Sequence, residues 1–579
     1  MQRSLISVPA SMIGFVAHYQ DRLLGVAIFP FYGVIAMKKS LLALSAAATL
    51  AGGLGFVSSA HAIIVKDDAV GSVPATTMAG VQSGGVGHVL FTPYFSTING
   101  NVTLISLVNT DKANGKAVKV RFRGAANSDD ILDFTVLMSP GDVWTASIEP
   151  SLTGVSRILS PDSTCVLPQQ LGTDGVDFRT GRLDQKLSAD AQALHTREGY
   201  VEYLNMADIK PGTDLFKAIK HKDGVAPCTS SEMAKLMSTD VVTYTDAAGY
   251  GLERPTGGLF GNWSIFNNLN ITSYGGGHAS VRAVDAKGNN KAARLFFAPQ
   301  KGAATSAADA ANNTADPLLV GGEAGVTRNT DFQGVTYAPD AAVAALVPPL
   351  WLDLPDLSTP YTQADTSPQA RAHDLSESLA AKTIMNEFVA TPSTASVPFA
   401  TDWVFSQPTR RYQTAMAYST GGVNLPVNAT LTAAKRHYKA GTGGNLSVSA
   451  RTVGTLALGD FLCAKGSFSG TDREEFEAVT SGDFSPVVVA GSAPICGEVA
   501  TLSFNSDTSK VLNAQLTNAR VNVKNASSFV TAGWASLGLD TPTGSSVAGV
   551  PVVGYAATSF TNGLTHGNFG DAIAHRYGF

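Results

Sequence analysis

Apolar and polar positions alternate along consecutive segments within residues 87–144, a pattern that predicts β-strands separated by recognisable turns. The run Asn101–Asn109 (NVTLISLVN) is β-branched and mostly apolar. The next run, Lys116–Arg123, alternates apolar with charged residues, as a strand does when one face packs on a core and the other meets water. The charged side chains that we expect to face water are Lys119, Arg121 and Arg123.

Turn residues separate these strands. Asn114-Gly115 lies between the first two runs, and Asn-Gly is a strong short-range turn signal. The third run, Ile131–Met138, follows a polar turn and ends at Ser139-Pro140-Gly141. We therefore predict an antiparallel meander, which is how antiparallel sandwiches begin.

Strand patterns recur in the rest of the chain, whereas helical patterns are short and few. Residues 150–195 and 299–343 read as loops, and Leu346–Leu357 has too much proline for an inner strand. A capping box of Asp374 and Glu377 accompanies the strongest helical pattern. Further strands are predicted at Asp142–Ile148, Gly199–Met206, within 258–283, within 401–418 and in short pieces across 440–530; helices are predicted at Asp214–His221, Ser231–Met237 and Asp374–Phe388.

The order of these elements predicts the fold class. Strands occur in both halves of the chain without the alternation of strand and helix that a parallel sheet requires. We predict a mainly β protein with an antiparallel immunoglobulin-like β-sandwich core, long insertions and a few short helices.

The segment Met37–Ala62 has the three parts of a bacterial secretory signal peptide. Lys38 and Lys39 form the positive region, an apolar stretch follows, and Ala60-His61-Ala62 is a small-x-small cleavage site. A membrane-anchoring helix is the alternative, but the apolar stretch is rich in Gly and Ala and no stop-transfer charges follow it. Because 1–36 places apolar sequence ahead of the positive region, we interpret it as a start assigned too far upstream. This leader, 1–62, predicts export through the Sec pathway.

The mature chain, 63–579, is predicted to have two regions. Residues 63–345 form an N-terminal β-sandwich region with insertions, and 346–579 form a C-terminal β-rich region that completes or packs on the same sandwich.

Charged residues are 15% of the chain, below the roughly 25% of ordinary soluble domains. The net charge is −5 and no basic cluster is present, which argues against a nucleic-acid partner. After the leader, no apolar run approaches the roughly 18 residues that a spanning helix needs.

Four cysteines lie in the mature chain, an even number that suggests disulfides in an exported protein. Proximity in sequence favours Cys165–Cys228 and Cys463–Cys496 among the three connectivities. Free buried thiols are the alternative, and a metal site is less favoured because the chain has no C-x-x-C or nearby histidine pair. The first bridge would pin an insertion that carries the two short helices.

Motifs with catalytic content are absent from the sequence: there is no G-x-S-x-G, H-E-x-x-H, P-loop, dinucleotide fingerprint, haem-attachment or EF-hand pattern. The eight histidines of the mature chain occur singly and are interpreted as surface or satisfied polar residues: His88, His195, His221, His278, His373, His437, His566 and His575.

Two groups of carboxylates are candidate sites. Hard oxygen ligands that occur close together could hold Ca²⁺, and the alternative interpretation is a solvated turn. Carboxylates beside aromatic residues are typical of glycosidases, although nothing in the sequence fixes their spacing in the fold. The Ca²⁺ candidates are Asp129, Asp130 and Asp133, and the glycosidase candidates are Glu202, Asp208 and Asp402.

The C-terminus suggests an alternative class. A terminal Phe579 preceded by alternating aromatic and apolar residues is similar to the last strand of outer-membrane β-barrels. Asp571 and His575 would fall on the face exposed to lipid, where charge is costly. The aromatic content of 8% and the lack of evenly spaced strands also argue against this class.

Four blocks of the sequence carry a resemblance to known proteins: GHVLFTPYFSTINGNVTLISLVNT, KVRFRGAANSDDILDFTVLMSPGDVW, GYVEYLNMADI and TDWVFSQPTRRY. Together they resemble a group of exported proteobacterial cell-surface or surface-layer-like proteins. The insertions around 150–195, 207–250 and 299–343 are not matched. The resemblance implies a location and a structural role, and it supplies no catalytic residues.

We therefore predict an exported structural or interaction protein of the cell surface or outer membrane, without enzymatic activity. It would associate with copies of itself or with envelope components, self-assembling into a surface layer, and would need no cofactor other than Ca²⁺ at the site above. The alternatives are a porin-like outer-membrane barrel and a secreted carbohydrate-active enzyme.

Overall fold

The computed structural model describes residues 75–297, 368–409 and 459–579 with gaps inside these ranges, together with a few separate strand segments. The predicted leader, 1–62, lies outside the described residues, as do 299–343 and Leu346–Leu357 apart from two strand segments. The separate segments are Val65–Lys66, Tyr337–Ala338, Leu352–Asp353, Thr414–Ala417, His437–Ala440 and Thr452–Leu456.

Most of the N-terminal elements are strands, and a helical insertion follows β11. They are β1 (Val65–Lys66), β2 (Thr77–Val81), β3 (Val89–Ser96), β4 (Asn101–Asn109), β5 (Gly115–Gly124), β6 (Asp130–Met138), β7 (Val143–Pro150), β8 (Ser156–Ser160), β9 (Cys165–Leu167), β10 (Gly172–Asp177), α1 (Ala189–His195), β11 (Glu198–Ile209), α2 (Asp214–Ile219), α3 (Ser230–Met237), α4 (Tyr244–Gly249), β12 (Leu252–Glu253), β13 (Leu259–Phe260), β14 (Asn262–Asn267), β15 (Thr272–Gly277), β16 (Ala279–Val284) and β17 (Phe296–Phe297).

The C-terminal elements are strands apart from one helix. They are β18 (Tyr337–Ala338), β19 (Leu352–Asp353), α5 (Pro368–Leu379), β20 (Ala380–Ala381), β21 (Thr383–Val389), β22 (Phe399–Ser406), β23 (Thr414–Ala417), β24 (His437–Ala440), β25 (Thr452–Leu456), β26 (Gly459–Asp472), β27 (Glu477–Ser481), β28 (Ala493–Cys496), β29 (Val499–Phe504), β30 (Asn518–Asn525), β31 (Ser528–Phe529), β32 (Ala532–Leu539), β33 (Val550–Pro551), β34 (Val553–Phe560), β35 (Phe569–Ala574) and β36 (Arg576–Gly578).

Two antiparallel sheets share one apolar core in the N-terminal part. One sheet has the order β2-β16-β3-β11-β5-β6-β9, and the other has the order β10-β8-β7-β4-β14-β15. Phe122 and Tyr94 of the first sheet belong to the same buried cluster as Ile105, Trp144 and Trp263 of the second. The predicted class, mainly β with antiparallel sheets and a few short helices, is confirmed. The finer immunoglobulin-like topology stays a prediction.

The predicted meander is wrong at its first connection. β4 pairs with β7 and β14, whereas β5 pairs with β6 and β11, so the chain passes from one sheet to the other between them. The Asp111 carboxylate accepts hydrogen bonds from the N–H groups of Ala113 and Asn114. Gly115 does not have the positive φ that a two-residue Asn-Gly hairpin requires. The turn therefore separates the strands instead of pairing them.

Residues 150–195 are not the loop that the sequence predicts. They contain β8, β9, β10 and α1, and α1 begins at a Ser188 cap whose side chain accepts from the N–H of Ala191. The turn residues in this segment lie between these short elements, which is why the segment has the composition of a loop.

The insertion after β11 has its own apolar core against the edge of the first sheet. Leu215, Ile219 and Leu236 of its helices pack with Leu137 and Leu167 of the sheet. The predicted disulfide Cys165–Cys228 is confirmed and joins β9 to this insertion, with a Cα–Cα distance of 5.4 Å. Burial and a covalent bond thus fix the same segment.

The second predicted disulfide involves two strands of the C-terminal part. Cys496 is disulfide-bonded, and Cys463 is its direct partner in the register of β26 and β28. The pairing Cys463–Cys496 stays a prediction that this register supports.

The C-terminal part forms a long sheet in the order β35-β34-β22-β29-β30-β27-β26-β32-β21-β36, in which only the β29–β30 pair is parallel among these described strands. The last strand bends at His575: β35 pairs with β34 before the bend, and β36 pairs with β21 after it. The His575 ring is buried, contacting the Val404 carbonyl through Nε2 and the Asn386 amide through Nδ1.

The helix predicted at Asp374–Phe388 is wrong in its second half. α5 spans Pro368–Leu379, and the following residues form β20 and β21. Asp374 therefore lies inside the helix and not at its start. Ile384 and Phe388 are four residues apart, a spacing that fits one face of a helix and also one face of a strand. Both are buried in β21.

The core of the N-terminal sheets continues into the C-terminal part. Val404, Val499 and Tyr555 belong to the same buried cluster as Phe122 and Trp144. All described residues fall within one compact unit, Ser59–Phe579.

Candidate functional site

The charged face of β5 is buried, contrary to the sequence prediction that it meets water. Lys119, Arg121 and Arg123 each expose about 1% of their surface or less. The Tyr200 hydroxyl on β11 donates to the Pro408 carbonyl at 3.2 Å. This contact places a segment from the C-terminal part against the face. Alternation alone therefore identified the two faces of β5 correctly but assigned the wrong environment to one of them.

Carboxylates from the neighbouring strands neutralise these buried cations. Lys119 Nζ lies 3.1 Å from Asp133 Oδ1, and Arg121 Nη2 lies 2.8 Å from Glu202 Oε2. Arg123 Nε lies 3.6 Å from the same Glu202 oxygen. A buried charge is tolerated only when it is paired and hydrogen-bonded. These contacts make the face a structural ion-pair layer across β6, β5 and β11.

Two of the Ca²⁺ candidates, Asp130 and Asp133, lie in this layer. Asp129, Asp130 and Asp133 are buried, so their interpretation as a solvated turn is wrong. Asp130 is directly opposite Arg123 in the β5–β6 register, and Asp133 pairs with Lys119. Within the part of the chain that the structure describes, no group of three or more His, Cys, Asp or Glu side chains is placed to hold a metal ion.

Lys116, at the opposite end of β5, forms a second buried network. Its Nζ lies 2.6 Å from Asp208 Oδ1, 2.9 Å from Thr256 Oγ1 and 3.3 Å from Asp111 Oδ2. The other oxygen of Asp208, Oδ2, accepts from the Thr256 hydroxyl at 2.5 Å and from the Thr256 N–H at 3.2 Å. Burial raises the pKa of the Asp208 carboxyl, and Lys116 and Thr256 oppose that shift.

The side chain of Asp402 is also structural. Its Oδ2 accepts from the N–H groups of Val511 and Leu512 and from the Ser509 hydroxyl, and its Oδ1 accepts from the Ser503 hydroxyl. Burial raises the pKa of this carboxyl, while these donors oppose the shift.

The three glycosidase candidates thus lie in three separate networks. Glu202 pairs with arginines, Asp208 pairs with Lys116, and Asp402 holds backbone amides. The described residues do not bring them together as a facing pair of carboxylates.

Two buried histidines make polar contacts, and one of them, His278, is satisfied at both ring nitrogens, as the sequence predicts. In His278, Nδ1 contacts the Thr92 hydroxyl at 3.1 Å and Nε2 contacts the Ser106 carbonyl at 3.0 Å. Burial lowers the pKa of His278 to about 4. In His88, Nδ1 accepts from the Ala283 N–H, and burial together with the charge of Lys116 lowers its pKa to about 4.

An exposed apolar surface, which sequence reasoning missed, lies where the β14–β15 turn meets the start of β35. Leu269, Ile271 and Phe569 expose 73%, 77% and 53% of their surface. Asn568 Nδ2 donates to the Asn270 carbonyl at 2.6 Å and holds the two segments together. We call these three apolar residues the apolar tip. A sequence signal exists, because Leu269 and Ile271 alternate with asparagines at a turn.

The apolar tip is held in place by its neighbours. The Phe569 ring stacks on Phe560 at 4.9 Å between centroids, and Phe560 stacks on Phe399 at 5.3 Å. Ile271 has a φ of +52°, which a β-branched residue rarely adopts. A residue with an unfavourable backbone conformation is thus kept at an exposed position, and such backbone outliers often accompany function.

No protein-family model, curated protein or solved structure matches this chain. Among the described residues, no helix is both long and apolar enough to cross a membrane.

Proposed function

We propose that the protein is an exported structural protein of the bacterial envelope that associates with copies of itself at the cell surface. The leader supports export, and the low charged fraction is typical of exported β-proteins. A disulfide between β9 and the insertion is a feature of proteins that work outside the cytoplasm.

The observation that carries the proposal is the apolar tip. Three large apolar side chains, each more than half exposed, lie on two segments that the Asn568–Asn270 hydrogen bond joins. Exposed apolar patches of soluble proteins mark interaction sites, and the centre of an interface is depleted of charge. The β14–β15 turn carries asparagines and no charged residue. Identical copies can therefore face each other along this turn without like-charge repulsion, which favours a second copy as the occupant.

Envelope fractionation with electron microscopy tests the location and the assembly. We expect material released by EDTA to contain the protein as an ordered lattice or fibre. Protein that stays in the outer membrane until detergent is added would contradict the proposal. So would hydrolysis of a polysaccharide that is lost on Glu202→Gln or Asp402→Asn substitution.

Substitutions at the apolar tip test the surface. Ile271→Asn removes apolar area and places a residue that tolerates positive φ, so the monomer should fold at least as well as the wild type. We expect this variant to lose the assembly seen by analytical ultracentrifugation. The matched control is Leu152→Asn, because Leu152 is a fully exposed leucine in another turn. Equal assembly of Ile271→Asn and the wild type would contradict the role of the apolar tip.

A further inference from the structure

In the Lys116–Asp208 contact, an amine nitrogen is held next to a carboxyl group, which is the arrangement that amide formation requires. Lys116 Nζ lies 2.6 Å from Asp208 Oδ1, and the two residues are on adjacent strands, β5 and β11, where they are direct partners in register. The lysine side chain is fully buried and the aspartate side chain is 2% exposed. Neither side chain can leave the contact without disrupting the sheet, so the amine nitrogen stays beside the carboxyl group.

Both side chains of the pair are removed from water. Burial raises the pKa of the Asp208 carboxyl, while Lys116 and Thr256 oppose that shift. Amide formation begins with transfer of a proton from the ammonium to a carboxylate that it contacts, a step that removes two buried charges at once. The products of that transfer are an amine and a carboxylic acid in contact, which are the reactants of amide formation.

Thr256 is placed to stabilise the transition state. Its hydroxyl and its N–H both donate to Asp208 Oδ2, the oxygen that does not contact the lysine. Attack of the amine on the carboxyl carbon places negative charge on that oxygen. Fixed donors aimed at an oxygen where charge develops are the arrangement of an oxyanion hole.

Asp111 is placed to move a proton. Its Oδ2 lies 3.3 Å from Lys116 Nζ, and its side chain is 18% exposed. Backbone and side-chain hydrogen bonds from Ala113 and Asn114 outweigh the effect of burial and lower its pKa to about 2. It is therefore ionised at neutral pH and is a weak base, so it holds the ammonium in place and would pass on, and not keep, a proton that leaves the nitrogen.

We infer that Lys116 and Asp208 form an intramolecular amide bond in the folded protein. The Lys116 nitrogen attacks the Asp208 carboxyl carbon, the new N–C bond forms, and the C–Oδ1 bond breaks. Two protons of the ammonium leave with Oδ1 as one water molecule, one of them by way of Asp111. Oδ2 becomes the amide oxygen and keeps its bonds to Thr256. No oxidant or other co-reactant is needed.

The bond would join two central strands of the first sheet across 92 residues of sequence. Unlike the Cys165–Cys228 disulfide, it would survive reduction. The inference does not depend on the proposed function, since it concerns a covalent bond within one chain.

Mass spectrometry of the exported mature chain, denatured and reduced, tests the inference. We expect an intact mass lower than the sequence mass by one water, and a tryptic cross-linked peptide that contains Lys116 and Asp208. A mass equal to the sequence mass would overturn the inference, and so would a loss of water located at another pair such as Lys119–Asp133.

Two variants keep the test informative. Asp208→Asn would release ammonia in place of water and give a product of the same mass as the cross-linked wild type. Lys116→Met cannot form the bond and should retain its full sequence mass. If Lys116→Met fails to fold, Thr256→Val serves instead, because it removes one donor to Oδ2. The wild type and this variant are isolated as chains that have not yet folded, from inclusion bodies, and on first folding the variant should lose mass on the order of 100-fold more slowly. An unchanged rate in Thr256→Val would overturn the assigned chemistry.

Discussion

The carboxylate of Glu198 on β11 accepts a hydrogen bond from the backbone N–H of Leu516 at 2.9 Å, across 318 residues of sequence. The same carboxylate accepts from the N–H of Gln515 and from the hydroxyl of Tyr94. Asp402 holds the N–H groups of Val511 and Leu512 in the same way. Glu198 thus attaches this stretch of irregular backbone to the N-terminal sheets, while Asp402 attaches the same stretch to β22 of the C-terminal part.

Removal of the Glu198 carboxylate should be costly. Glu198→Ala leaves two backbone N–H groups and one hydroxyl buried without their acceptor, so we expect a loss of about 3 kcal/mol in the free energy of unfolding. Glu198→Gln keeps one acceptor oxygen for the two N–H groups and should lose about 1 kcal/mol. Urea denaturation of both variants measures the difference. Equal stability of the alanine variant and the wild type would show that this contact does not hold the two parts together.

The ion-pair layer gives a second prediction. Glu202→Ala removes the carboxylate that Arg121 and Arg123 share in a buried site, and we expect it to destabilise the protein by about 3–5 kcal/mol. The control is Asp214→Ala, which breaks the exposed pair with Lys217 on α2 and should leave stability unchanged within error. Denaturant melts of the two variants should differ clearly, and similar midpoints would mean that the buried pair is not structurally important.

The disulfide gives a third prediction. Cys165 and Cys228 enclose a loop of 63 residues, and the chain-entropy model assigns such a cross-link about 4 kcal/mol. We expect the double variant Cys165→Ala/Cys228→Ala to lose stability of this size, and its helical insertion should be the first site of proteolysis. Limited proteolysis followed by peptide mapping identifies the cleaved segment. Initial cleavage outside 207–250 would contradict the idea that the bridge pins this insertion.

The sequence predicted individual strands well, because their pattern is local. Asn101–Asn109 is a strand with the predicted bounds, and its residues alternate between buried and half-buried positions. The pairing of strands was not predictable in the same way. Whether Asn114-Gly115 joins partners within a sheet or passes between sheets depends on the backbone of that turn and on what each face of β5 meets.

The sequence could not show whether the charged residues of β5 are buried, because their burial depends on distant parts of the chain. Arg121 alternates with apolar residues whether its face meets water or another part of the chain. The segment around Pro408, nearly 300 residues away along the chain, lies against that face, and a contact so distant in sequence leaves no local pattern. The same holds for Asp208 and Thr256, whose contact with Lys116 depends on strand register and not on spacing along the chain. The apolar tip left a clearer signal, since Leu269 and Ile271 occur in a turn.

Protonation of buried histidines should make the protein sensitive to acid. His278 is neutral in the folded state because burial lowers its pKa to about 4, whereas the unfolded chain has the ordinary value of 6.5. Between these values the unfolded state binds more protons, so this residue's contribution to stability is present above pH 6.5 and is lost as the pH falls toward 4. Each such histidine can contribute a slope of up to about 1.4 kcal/mol per pH unit.

A substitution isolates this effect from that of the buried carboxylates, whose raised pKa values act in the opposite direction. His278→Gln keeps polar contacts to Thr92 and Ser106 but does not titrate. We expect the variant to be somewhat less stable at neutral pH, and its stability should fall less steeply than that of the wild type between pH 6.5 and 4. Urea melts at a series of pH values measure both slopes. Parallel slopes would mean that His278 is already protonated in the folded protein, or that acid sensitivity arises at other groups.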